Sequence, residues 1–263
     1  LYERIDEVDK AKLKDKLVQD KEMALLSREL VTINTTMELP GGLEDMKFKT
    51  PDNSELRKLF SEFEFSSLLR ELGDDIKVCS PTIEINYETI LTEADLERWI
   101  EQLKKSIIFA LDLETTSLHP IQARVVGISL SCEAGVACYI PLAHRYLGVP
   151  EQLDLDLVLK KLKPLLEDPK LKKVGQNIKY DMSVMARYGV IFAGPLFDTM
   201  LESYVLNSVA TRHNMDALAD FYLDRKTIHF EDVAGKGVKQ LSFNQVPIET
   251  GGEYAAEDAD ITL

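Results

Sequence analysis

The rhythm of apolar positions divides the chain near residue 80. Before it the rhythm is helical. Leu13, Leu17, Met23, Leu26 and Leu30 fall at helical spacing among many charges, and they predict one helix over Lys10–Thr32. Pro40-Gly41-Gly42 breaks the pattern. Pro51-Asp52-Asn53-Ser54 offers a helix start for Glu55–Phe60, and a second short helix is expected over Phe65–Leu72. Leu72–Pro81 reads as a boundary. Beyond it, strands and helices mix. Thr82–Tyr87 is expected as a strand and Glu93–Lys105 as a helix. Ile107–Leu113 reads as a buried strand, followed by a hairpin of Ala123–Cys132 and Val136–Leu142 around Glu133-Ala134-Gly135. Helices follow over Leu153–Leu166 and Ile178–Tyr188, with the short strand Lys172–Val174 between them. The last helices are expected at Asp198–Asn207, Met215–Leu223 and Glu253–Leu263. Three antiparallel strands followed by alternating helix and strand predict a mixed α/β sheet behind a small N-terminal helical region.

Composition narrows the function classes. With 45% apolar and 29% charged residues, the 263-residue chain can bury a sizeable core as a soluble protein. Its longest apolar runs, such as Ile107–Leu111, are too short to span a bilayer, so no membrane partner is expected. The opening Leu1-Tyr2-Glu3-Arg4 lacks the pattern of a signal peptide, and the absence of an initial Met suggests a fragment. Scattered Cys79, Cys132 and Cys138 fit a reducing, cytoplasmic setting, and a monomer is expected. The net charge of −14 argues against a nucleic-acid partner taken by itself. A metal-dependent nuclease also needs an acidic pocket, and its cations supply local positive charge.

Three acidic motifs carry the chemistry. Asp112 and Glu114 end an apolar strand at i and i+2, so both project from one face. Like charges side by side on a core strand repel, and a divalent cation would relieve that cost; idle, solvated acids at a strand end are the plainer alternative. Gly175-Gln176-Asn177-Ile178-Lys179-Tyr180-Asp181 leaves a strand and opens a helix. Gln176 and Asn177 can cap that helix or donate to a ligand, while Asp181 suits its positive end without further purpose. Tyr254 and Asp258 share one face of the last helix, where Ala255, Ala256 and Ala259 permit close packing on a sheet. Glu257 and Asp260 are expected on solvated faces, and so is the basic stretch Lys160–Lys173. Trp99 reads as core. His119, His144, His213 and His229 lack the spacing of a zinc site.

Each motif is weak alone, but their order is specific. It resembles the DEDD exonuclease superfamily in the branch with a tyrosine in its third motif. Val174–Asp181, Phe197–Tyr204, Ala234–Gly237, Leu241–Gln245 and Tyr254–Asp260 are similar to the proofreading domains of bacterial family-A DNA polymerases. The resemblance covers about residues 84–263. Residues 1–72 resemble the tail of a preceding 5′-nuclease domain, without its active-site acids. It implies an RNase H-like fold and a 3′→5′ DNA exonuclease using two divalent cations, Mg²⁺ or Mn²⁺. Asp112, Glu114 and Asp258 would hold the first, and Asp112 and Asp181 the second. Tyr254 and Glu114 would orient the attacking water. Leu118 and Phe230 would pack on the terminal nucleotides. Thr115, Gln176, Asn177, Tyr180 and Arg212 would hold a frayed 3′ end. The implied domains are 1–80 and 81–263, with a covalently linked polymerase domain to follow. An RNase D-like RNA exonuclease and an inactive spacer domain are the competing readings.

Overall fold

The computed structural model describes residues 1–38, 40–48, 50–72 and 84–263. Most of the expected boundary, and positions 82–83 of the expected first strand, lie outside the described residues. The chain divides into two compact units, Leu1–Val78 and Cys79–Leu263.

The first unit is helical, with α1 (Ala11–Gln19), α2 (Lys21–Val31), α3 (Asn53–Glu62) and α4 (Ser66–Glu71). The single helix expected over Lys10–Thr32 is broken at Asp20, whose backbone (φ −95°, ψ 13°) closes α1 and opens α2. An aspartate competes for backbone hydrogen bonds and interrupts a helix more readily than the alanines and leucines around it. Asp52 starts α3 as expected, its side chain accepting from the Ser54 and Glu55 N–H groups.

The second unit is a six-stranded mixed sheet with helices on both faces. Its elements are β1 (Asn86–Thr89), α5 (Glu93–Leu103), β2 (Ile108–Thr115), β3 (Val125–Glu133), β4 (Val136–Pro141), α6 (Leu155–Leu166), β5 (Lys172–Gly175) and α7 (Lys179–Ala186). They continue with β6 (Leu196–Asp198), α8 (Thr199–Leu206), α9 (Met215–Leu223), α10 (Phe230–Ala234) and α11 (Ile248–Thr262). The strand order is β1-β4-β3-β2-β5-β6. β2, β3 and β4 are antiparallel, while β1 runs parallel to β4 and β5 and β6 run parallel to β2. This is the RNase H-like arrangement expected. β6, three residues long, was too short to leave a periodic signal.

Alternation along β2 divides the core. Leu111 and Leu113 join Leu96, Trp99, Leu162 and Val184 in an apolar layer with α5, α6 and α7. Asp112 and Glu114 point to the opposite face, which α11 covers through Ala255, Ala256 and Ala259, all fully buried. Trp99 is core, and its indole N–H donates to Glu88 at 3.0 Å. α11 begins at Ile248, five residues earlier than its apolar pattern indicates, because Gly251 and Gly252 belong to it. A Cβ on Gly251 would lie 3.2 Å from Val246, and one on Gly252 3.0 Å from Thr89. Close packing against these neighbours outweighs the low helix propensity of the pair.

Two expectations of solvated charge are corrected. Asp260 is buried and accepts from the Gly135 N–H at 2.6 Å, the Tyr87 hydroxyl at 2.6 Å and Arg225 at 2.9 Å. Glu257 is also buried, accepting from the Ile228 N–H at 2.6 Å and facing Arg225 at 3.5 Å. Both stay inside because every charge finds a partner, which periodicity cannot reveal. Lys173, expected on a solvated face, is fully buried in β5, its ammonium capping the Asp168 and Ala193 carbonyls at 2.6 Å each.

Gly127 faces Glu114 across the β2–β3 ladder, and a Cβ there would lie 2.1 Å from the Tyr139 hydroxyl. Tyr139 is itself pinned, donating to His144 Nε2 at 2.7 Å while His144 Nδ1 donates to the Val246 carbonyl at 2.9 Å. The Gly127→Ala variant is therefore expected to lose about 1–3 kcal/mol of stability by overpacking. Urea unfolding measures it; an unchanged midpoint would mean that the Tyr139 ring moves aside freely.

Candidate active site

β2 and β5 run parallel, so their carboxyl ends open at one edge of the sheet, where α7 begins. Asp112 and Glu114 come from β2, Asp181 from the first turn of α7, and Tyr254 and Asp258 from α11. All five line a single cleft of about 830 Å³. One carboxylate oxygen each from Asp112, Glu114 and Asp258 lies within 4.8 Å of the others. Thr115, Leu118, Gln176, Asn177, Tyr180 and Phe230 line the same cleft. Arg212 does not; it is exposed in the loop between α8 and α9. That loop is tied to the cleft, since Gln176 Nε2 donates to the His213 carbonyl at 2.8 Å.

The electrostatics are those of an acid cluster lacking a counter-charge. Among the described residues, Arg225 pairs with Glu257 and Asp260, and Lys236 with Glu231 at 2.7 Å, whereas no lysine or arginine pairs with the four cleft acids. Burial is the largest cause at all four. It pushes Asp112 up to about 6, tempered by the Leu113 N–H. Glu114 is held well above the carboxylate range by burial and then by Asp112, Asp258 and Asp181. Asp181 and Asp258 rise in the same way, burial first and Asp112 next. Burial and these acids also raise Tyr254, so its phenol stays protonated at neutral pH. Hard carboxylate oxygens that repel one another in a partly desolvated cleft fit a divalent cation.

A carboxyl group whose folded pKa is raised stabilises the fold fully below its unfolded pKa and loses that contribution as pH rises through the folded value. For Asp112 the rise from 3.8 to about 6 corresponds to about 3 kcal/mol, taken between about pH 4 and pH 7. Without metal, Asp112→Asn is therefore expected to match the parent protein at pH 4 and exceed it in stability at pH 7. Urea titrations at the two pH values read the divergence, and parallel curves would mean that the acids are solvated.

The supporting contacts bring in Ser117 and Asp198, which the sequence left without a role. The Thr115 hydroxyl lies 2.6 Å from that of Tyr180, which donates to the Ser117 carbonyl. Asn177 adopts a left-handed backbone (φ 58°), and its N–H is held by Asp198 Oδ1 at 3.1 Å. The same oxygen caps α8 through the Met200 and Leu201 N–H groups. Neither Gln176 nor Asn177 caps α7. Phe230 stacks on Phe243 at 6.3 Å and meets Tyr254 edge-on at 6.2 Å, whereas Leu118 is 93% exposed. An Asp followed by the hydroxyl of Thr199 at a helix start was the available signal for Asp198.

Residues 87–263 match a family model described as a 3′-5′ exonuclease. The chain belongs to this family. Its relatives include bacterial DNA polymerase I. With that of Pseudomonas aeruginosa it shares 46% identity over 100% of this chain and 31% of the relative. With that of Rhizobium leguminosarum it shares 40% over 67% of this chain and 19% of the relative. The chain thus spans less than a third of the curated relatives' length. A solved structure of Trypanosoma brucei RNase D in complex with RNA U12 has the same fold. Its TM-score is 0.55 at 17% identity, over 68% of this chain and 61% of that one.

Proposed function

We propose that this exonuclease domain removes nucleotides from the 3′ end of single-stranded or frayed DNA, as the proofreading part of a DNA polymerase I. The observation that carries the reading is the cluster of Asp112, Glu114 and Asp258 oxygens within 4.8 Å of one another, in one cleft with Asp181 and Tyr254. The DNA polymerase I relatives support DNA over RNA as the substrate and a polymerase domain on the same polypeptide. In this reading residues 1–80 are the tail of a 5′-nuclease domain and 81–263 form the exonuclease.

Asp112, Glu114 and Asp258 would hold one divalent cation, and Asp112 and Asp181 a second. Bound there, such cations supply Lewis acidity, which sharpens water as a nucleophile and offsets charge on the leaving 3′ oxygen. The chain's own residues do the rest. Glu114 and the protonated Tyr254 hold the attacking water by hydrogen bonds, since a raised phenol is no base at neutral pH. Phe230 and the exposed Leu118 offer apolar surface to the terminal nucleotides. Thr115, Asn177 and Tyr180 shape the cleft around the strand. A mispaired end frays at lower cost than a paired one, so a cleft that admits single strands meets it more often. The product is a nucleoside 5′-monophosphate.

The test is a gel assay of 5′-labelled single-stranded DNA with Mg²⁺ or Mn²⁺, beside EDTA and a matched RNA. A ladder shortening from the 3′ end, lost with EDTA and weaker on RNA, is expected. Preferential shortening of RNA would favour the RNase D-like reading, and no cleavage of either would favour the spacer.

A further inference from the structure

Glu257 is the neighbour of Asp258 on α11, yet it does not line the cleft. Its buried carboxylate turns to the connection between α9 and α10, residues 224–229. There it accepts from the Ile228 N–H at 2.6 Å and faces the Arg225 guanidinium at 3.5 Å. A backbone N–H held by a buried carboxylate is among the stronger hydrogen bonds of a protein. Arg225 has further partners, donating to Asp260 at 2.9 Å and to the Tyr87 hydroxyl at 2.7 Å. Asp216 of α9 holds the residues on either side of Ile228, accepting from the Thr227 hydroxyl at 2.7 Å and from His229 Nδ1 at 3.1 Å.

The connection ends where Phe230 opens α10. The Phe230 ring returns to α11, meeting Tyr254 edge-on at 6.2 Å and stacking on Phe243 at 6.3 Å. Phe243 lies 6.0 Å from Tyr254 in turn, so two rings brace the phenol. Tyr254 and Glu257 are neighbours on α11, three residues apart. The contacts therefore close a circuit: α11 grips Ile228 through Glu257, and two residues later Phe230 bears back on Tyr254. Packed rings prefer particular relative orientations, so a shift of α10 would tilt the phenol.

We propose that Glu257 is a positioning residue for cleavage: its hydrogen bond to the Ile228 N–H sets α10 so that Phe230 holds the Tyr254 ring at the angle the attacking water needs. The inference rests on the exonuclease reading above. The hydrogen bond does this work rather than the charge, which Arg225 already offsets.

Two substitutions in the full chain separate reach from charge. Glu257→Asp keeps the charge beside Arg225 but withdraws the oxygen from Ile228 by one methylene. Glu257→Gln keeps an oxygen within reach and loses the charge. Neither leaves Arg225 unpaired, because Asp260 and Tyr87 remain. The first measurement needs no DNA: hydrogen exchange over residues 226–234, read by mass spectrometry. Glu257→Asp is expected to speed exchange at Ile228 about tenfold, and Glu257→Gln to stay within about twofold of the parent. The second is the single-turnover rate on single-stranded DNA. Glu257→Asp is expected to lower it about tenfold and Glu257→Gln by no more than about twofold. In a Tyr254→Phe background, where no hydroxyl is left to aim, Glu257→Asp should cost less than about twofold further. Parent-like exchange and rate in Glu257→Asp overturn the proposal. A Gln variant as slow as the Asp variant overturns it in favour of a charge effect on the neighbouring Asp258. An undiminished loss in the Tyr254→Phe background overturns the route through Tyr254. A parent chain that leaves DNA intact overturns the exonuclease reading and the role of Glu257 in cleavage with it, while exchange at Ile228 separately decides whether Glu257 holds the connection.

Discussion

Replacing Asp181 by alanine is expected to lower 3′→5′ cleavage by on the order of 10³-fold while leaving the fold intact. Asp181 is buried at the mouth of the cleft, and its largest charged neighbour is Asp112. In the proposed reading it shares a cation with Asp112, so its loss removes charge stabilisation at the leaving oxygen. Its carboxyl is costly to the fold without metal, because burial and Asp112 hold it well above its ordinary range. The stability it contributes is full at low pH and lost as pH rises, so at pH 8 the metal-free variant is expected to melt higher than the parent. Single-turnover rates and calorimetry in EDTA measure the two effects. A variant that unfolds, or that keeps more than about a tenth of the activity, would mean that Asp181 serves the start of α7 rather than the chemistry.

Adding Mn²⁺ or Mg²⁺ at about 100 times its dissociation constant is expected to stabilise the protein by about 2.7 kcal/mol for one site. For a domain of this size that corresponds to a rise in Tm of about 5–10 °C. The effect follows from the same repulsion: a cation binds the folded cluster of Asp112, Glu114 and Asp258, whereas the unfolded chain scatters these acids. The Asp112→Ala/Glu114→Ala double variant should lose the shift. Calorimetry with and without the metal reads both. No shift in the parent protein would remove the metal site and favour the spacer reading.

The sequence by itself determined much of this protein. The alternation of Leu111-Asp112-Leu113-Glu114 made β2 two-faced, with acids toward one layer and leucines toward the other. The four-residue spacing of Tyr254 and Asp258 put both on one side of α11. The three motifs in order pointed to the cleft acids. These were legible because strand and helix periods are local, and a face is settled by a few consecutive residues.

Tertiary structure alone decided the rest. Glu257 and Asp260 read as solvated but are buried, because Arg225, Tyr87 and backbone N–H groups far along the chain satisfy them. Lys173 is buried on two carbonyl oxygens that no local pattern announces. Gln176 read as a helix cap or a ligand donor; it caps no helix, and the bonds its side chain makes run to Thr199 and His213, 23 and 37 residues away. Sequence spacing reports which face a side chain occupies. Only the folded chain brings together the partners that let a charge or an amide remain inside, since that balance of desolvation against hydrogen bonding is made by residues distant in sequence.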